Sequence, residues 1–195
     1  MRLLTAAIFL LIVSISTATL VAASPNDFYN KLFETNNPIS DSDLDLIRRS
    51  SSLAKEWNNT TAEILRGYRQ IISSQITPDE FIRKYSFAYN NLLIILPKMR
   101  LSAYAIDNPK IAEWHQNLYS IHEEMAKAYL DFKTSIEQGA YTEADNAIVR
   151  LRLASEKKAR YIAGYANRLR QLAGDKEFDK ILNQEVSGNL NRVFN

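Results

Sequence analysis

The sequence predicts an all-α fold: an antiparallel, up-down four-helix bundle with short extra helices at both ends. Three observations carry it. Capping residues recur at near-equal intervals, and the apolar residues between them advance in three- and four-residue steps. No stretch alternates apolar and polar as a half-buried strand does. Five glycines and five prolines in 195 residues fall mostly where helices start or stop, and no repeat of roughly 20–50 residues is visible.

The first long helix is announced by Ser40 ahead of Asp41-Ser42-Asp43, with Ile39 and Leu44 placed as a hydrophobic staple. Thr77-Pro78-Asp79-Glu80 starts the second: a cap, a proline at the first position and an acid that reaches back, stapled by Ile76 and Phe81. Asn108-Pro109 starts the third in the same way, and Thr142 the fourth. Gly139 and Gly174 suit left-handed C-terminal caps. The spans are 41–75, 78–106, 109–138 and 143–173, with short helices near 25–35 and 176–187. Each long helix has roughly 30 residues and so measures about 45 Å, and equal lengths with short turns make antiparallel neighbours.

The core seams follow the same spacing. Helix two offers Phe81, Tyr85, Ala88, Leu92, Ile95, Met99 and Ile106; helix three offers Ile111, Trp114, Leu118, Ile121, Met125, Ala128 and Phe132. Helix four offers Ala144, Ile148, Leu151, Ile162, Tyr165, Leu169 and Leu172. Seven-residue repeats of this kind make a coiled-coil-like inward seam. Pro97 interrupts helix two and predicts a kink or an early end. Helix one carries Ser51, Asn58 and Thr61 where its seam belongs, and helix four carries Ser155 and Lys158. These polar positions should meet near mid-bundle. They form either a solvated, loosely closed edge or a polar internal pocket.

The N-terminus reads as an export signal. Met1-Arg2, an apolar run from Leu3 to Ala23 and the small residues Val21-Ala22-Ala23 suit cleavage after Ala23. The run is also long enough to span a bilayer, but Thr5, Ser14, Ser16, Thr17 and Thr19 dilute it, which favours a cleaved signal over an anchor. The organisation is then a signal peptide over 1–23 and one bundle domain over 24–195, large enough for a real core. The chain has no cysteine, so redox and thiolate chemistry are excluded and packing alone must hold the fold outside the cell. That pattern favours a prokaryotic periplasmic or secreted protein.

A formal net charge of +2, part of which leaves with Arg2, gives no footprint for nucleic acid or acidic lipid. Charge is polarised between helices instead. Helix four is basic through Arg150, Arg152, Lys157, Lys158, Arg160, Arg168 and Arg170, and helix three is acidic. Either the two neutralise each other, or Arg160, Arg168 and Arg170 present a binding face to a protein, glycan or envelope surface. A membrane is a partner only if the signal stays uncleaved.

Chemistry-bearing motifs are few. No nucleophile elbow, phosphate loop or zinc motif occurs, and catalysis is not expected. His115 and His122 stand seven apart on helix three, too far to share one metal ion. Neither has Glu three residues before it, which excludes the di-iron bundle pattern. His122, Met125 and, from helix two, Met99 are candidate cofactor ligands of the kind that hold haem or copper. Helix-flank histidines are the plainer reading. Asn58 and Asn59 begin overlapping glycosylation sequons, and Asn58 cannot be both glycosylated and buried. Two functions follow: an exported, non-catalytic binding module, or a carrier of a small ligand or cofactor in the bundle interior.

Overall fold

The computed structural model describes residues 32–36 and 39–173, with side chains up to Gly164. The signal segment, most of the first short helix, the helix near 176–187 and Gly174 lie outside the described residues.

Four helices form a bundle: α1 (Asp41–Ile72), α2 (Pro78–Tyr104), α3 (Pro109–Glu137) and α4 (Tyr141–Ala173). Among the described residues there is no strand, and no helix is long and apolar enough to cross a membrane. The caps act as their chemistry requires. Ser40 Oγ accepts from the Asp43 amide at 3.0 Å. Thr77 and Glu80 form a reciprocal capping box, the Thr77 amide donating to Glu80 Oε2 at 2.9 Å. Asn108 Oδ1 accepts from the Ile111 amide. Asp43 does more than follow a cap. It is buried at the start of α1, and its two oxygens accept from the amides of Asp107 and Asn108 at 2.8 and 3.2 Å. One carboxylate thus fixes the α2–α3 turn against α1.

Four boundaries differ from expectation, α2 ending at Tyr104 rather than 106 and α3 at Glu137 rather than 138. α1 stops at Ile72 because Ser74 takes a left-handed φ of 56° and the amides of Gln75 and Ile76 turn back to the Gln70 carbonyl. α4 begins at Tyr141, two residues before the predicted start, because the Ala140 carbonyl already accepts from the Ala144 amide. Gly139 takes the left-handed turn as expected, with φ 67°. Pro97 does not end α2. It stands on the helix's exposed side, where the carbonyl it leaves without an i+4 donor belongs to exposed Leu93.

Cross-helix pairs give the directions. The end of α1 meets the start of α2, where the Tyr85 hydroxyl donates to Gln70 at 2.9 Å. Phe81 packs on Phe132 and Tyr104 on Tyr119, opposing α2 and α3. Arg150 pairs with Asp131, and Tyr161 stacks on Trp114, opposing α3 and α4. α1 and α3 run in the same sense across the core, through Trp57 on His122 and Tyr68 on Phe132. The predicted seams of α2 and α3 are buried throughout, and Ala144, Leu151 and Ile162 of α4 with them. Ile148 is only half-buried; Ala147 and Ala154 share its task.

Candidate functional site

Three regions hold the residues that could act: a polar layer inside the bundle, the α3–α4 edge and the outward face of α2.

The polar layer corrects the sequence reading of a solvated edge. Ser51, Thr61 and Lys158 are buried, and Asn58 and Ser155 are half-buried. The hydroxyls satisfy themselves within their own helices: Ser51 donates to the Ile47 carbonyl, Thr61 to Trp57 and Ser155 to Leu151. Lys158 cannot do that. Its Nζ donates to Asn58 Oδ1 at 3.4 Å, and among the described residues it has no carboxylate in ion-pair reach. Burial lowers its pKa to about 8. Asn58 is tied inward by this bond, while Asn59 is exposed.

The histidines are not flank residues either. His122 is fully buried and His115 nearly so. A ring nitrogen meets a carbonyl only by donating, so the 2.8 Å contact to the Leu118 carbonyl puts the proton on Nδ1 of His122. The lone pair is then on Nε2, which bonds to no group of the protein. Burial, reinforced by the charge of Lys158, holds His122 well below the usual imidazole pKa, so the ring is neutral. Trp57 sits edge-on to it at 5.0 Å, with its own Nε1 unpartnered. His115 is lowered to about 3 by burial. It lines a cavity of about 10 Å³ with Ser50, Met99, Ala103, Leu118 and Tyr119, and Ser50 Oγ and His115 Nε2 are both unbonded to protein. Such a volume suits one water, not a macrocycle.

The candidate cofactor ligands are therefore divided. Met99 lines the cavity of His115; His122 does not. Met125 is buried one helical turn past His122. Among the described residues no group of three or more His, Asp or Glu side chains is placed to hold a metal.

On the α3–α4 edge, Arg150 pairs with Asp131 at 2.8 Å and Lys157 pairs with Glu124, both partly exposed. Such pairs contribute little each, roughly 0–1 kcal/mol. Part of the basic cluster is thus neutralised by the acidic helix. Arg160 is exposed and has no ion pair among the described residues, whereas the side chains of Arg168 and Arg170 lie outside them.

The sequence reasoning missed the outward face of α2. Phe87, Ile94 and Leu101, seven residues apart, are 74, 52 and 72% exposed. Leu93, Pro97 and Tyr104 widen the stripe on one side, and all three are exposed. From Phe81 to Ile106 the chain carries Arg83, Lys84, Lys98 and Arg100, all exposed, and no acid. Arg100 lies over the Tyr104 ring, 5.9 Å from its centroid. The signal was in the sequence: a second seven-residue series beside the core seam, bordered from Phe81 to Ile106 by basic residues alone.

Comparison with protein-family models, curated proteins and solved structures finds no match for this chain.

Proposed function

We propose that the protein is an exported, non-catalytic binding module that docks on an anionic lipid surface through the outward face of α2. The observation that carries this is the stripe Phe87–Ile94–Leu101, exposed on a helix whose opposite face already fills the core. A helix apolar on both faces calls for cover on both. Charge selects the cover. A second copy would bring Arg83, Lys84, Lys98 and Arg100 of two chains to one interface, against only Asp79 and Glu80 of each. An anionic bilayer instead takes the apolar side chains among its acyl chains and the arginines and lysines among its headgroups. Export through residues 1–23 belongs to this reading, and mass spectrometry should find a mature chain beginning at Ser24.

Vesicle co-sedimentation tests the docking. The mature protein should pellet with phosphatidylcholine vesicles containing phosphatidylglycerol, should pellet less with phosphatidylcholine alone, and should be released in part by salt. The triple variant Phe87→Ser, Ile94→Ser, Leu101→Ser should lose binding while keeping its helical circular dichroism. No binding to either vesicle refutes the lipid surface. Self-association abolished by the triple variant would make a second copy the occupant. Charge reversal of Arg160, Arg168 and Arg170 in the same assay tests the α4 face: reduced binding adds that face to the surface, and unchanged binding confines it to α2.

A further inference from the structure

We propose that the cavity between α1, α2 and α3 binds one soft monovalent cation, copper(I), through the His115 imidazole and the Met99 thioether. The site lies on the inward side of α2 and does not depend on the lipid-docking face.

The cavity is the first observation. Its volume is about 10 Å³, and Ser50 of α1, Met99 of α2 and His115 and Tyr119 of α3 stand on its wall. A space of one water's size is also the space of one bare monovalent ion, and the groups around it lie within a few ångströms of a common centre. Helix direction explains the meeting. α2 and α3 run antiparallel, so Met99 near the end of one comes level with His115 near the start of the other.

The second observation is an unused ligand atom. His115 is 5% exposed, and its Nε2 is bonded to no group of the protein. Trp114 stands edge-on to the ring at 4.7 Å and packs it in place. Burial lowers the pKa of His115 to about 3, so the imidazole is neutral and no second proton competes for its lone pair. Ser50 Oγ is likewise without a protein partner, so the serine and the histidine are not bonded to each other. A water satisfies both of them, and a water is what the ion displaces. It draws nothing from Met99. A thioether is a weak hydrogen-bond acceptor but a good ligand for a soft metal.

The chemistry of the wall selects the ion. No carboxylate lines the cavity. Glu123 reaches only the Tyr119 hydroxyl, from which it accepts at 2.9 Å. A divalent ion would enter with two charges and no anionic ligand, and a hard ion would want oxygen ligands the wall lacks. Copper(I) carries one charge and is held by few ligands, for which neutral imidazole nitrogen and thioether sulfur suffice.

Silver(I) is the first probe, since it shares the charge and ligand preference of copper(I) and is stable in air. Isothermal titration calorimetry of the mature protein in chloride-free nitrate buffer should give one silver ion per chain. Met99→Leu, which conserves volume, should weaken binding by roughly tenfold or more, and Met125→Leu should leave it unchanged. Zinc nitrate should not bind in the same cell. Copper(I) supplied as its bicinchoninate complex should pass to the wild-type protein and not to Met99→Leu. Should Met99→Leu fail to fold, the native chain still decides: with methionine methyl groups labelled for NMR, silver should shift the Met99 resonance and leave that of Met125 in place. Absence of one-to-one silver binding, unchanged affinity in folded Met99→Leu, a shift confined to Met125, zinc bound as tightly as silver, or no transfer of copper(I) overturns the proposal.

Discussion

At Gly67 the α1 backbone closely approaches the Tyr85 ring of α2, and Gly67→Ala should destabilise the bundle although alanine is the better helix former. A Cβ built at Gly67 would lie 2.4, 2.6 and 2.7 Å from three ring atoms of Tyr85. Ordinary contact needs about a further ångström. The ring has nowhere to yield. Tyr85 is 3% exposed, its ring lies 5.2 Å from that of Phe81, and its hydroxyl is bonded to Gln70 on the same helix as Gly67. In a helix interior, replacing glycine by alanine gains about 1 kcal/mol. Overpacking a closed core costs about 1–3 kcal/mol, and loss of the Tyr85–Gln70 bond adds roughly 1 kcal/mol more. The net expectation is a loss of about 1–3 kcal/mol. Urea unfolding followed by circular dichroism measures it. Tyr85→Ala also destabilises by itself, but in its background Gly67→Ala should turn neutral or stabilising, since the clash is gone and the propensity gain remains. A neutral or stabilising Gly67→Ala in the wild-type background would refute the close approach.

Leu118→Ala should cost about 2–5 kcal/mol, because the side chain is buried and its loss would enlarge the cavity beside His115; chemical denaturation checks it, and a change of a few tenths would misplace the α3 seam. Lys158 predicts a pH dependence of stability. Its pKa is about 8 in the fold against an ordinary 10.5, so above pH 8 the unfolded chain holds more protons and stability should rise, by about 1–2 kcal/mol up to pH 9.5. The rise should vanish in Lys158→Met, and a flat wild-type profile would contradict the burial of the amine. Measurements stop short of pH 10, since burial raises the phenol pKa values of Tyr89 and Tyr129 and high pH then favours the unfolded chain.

The bundle was legible because helix ends are local chemistry. Ser40, Thr77 and Asn108 cap within three residues of themselves, and such short-range bonds depend little on the rest of the chain. The misplaced boundaries show the limit of that logic. Nothing in Ser73-Ser74 marks a helix end as glycine would, yet Ser74 takes the left-handed conformation. Thr142 has the right side chain for a cap, but the helix had already begun. Long-range polar contacts were still less legible. The bond from Asp43 to the Asp107 amide spans 64 positions of sequence, and no local pattern points to it.

The two central helices show why the sites were harder to read than the fold. Each carries two apolar or semi-apolar series at seven-residue spacing. On α3 the second series is His115, His122, Tyr129 and Ile136; on α2 it is Phe87, Ile94 and Leu101. Hydrophobicity alone ranks the α2 series as the more buried. The bundle does the reverse. α3 lies against α1 through Trp57 and Tyr68, against α2 through Phe81 and against α4 through Tyr161, so both of its series are enclosed. α2 packs mainly on α1 and α3, which cover its inward series and leave the other outside. Which series goes inside is decided by how many neighbours a helix has, a property of the assembled bundle rather than of the helix. The same placement fixes the chemistry. It forces two histidines and a lysine into the interior, where their polarity demands partners, and it leaves phenylalanine, isoleucine and leucine in water among arginines and lysines, where their surface demands a cover.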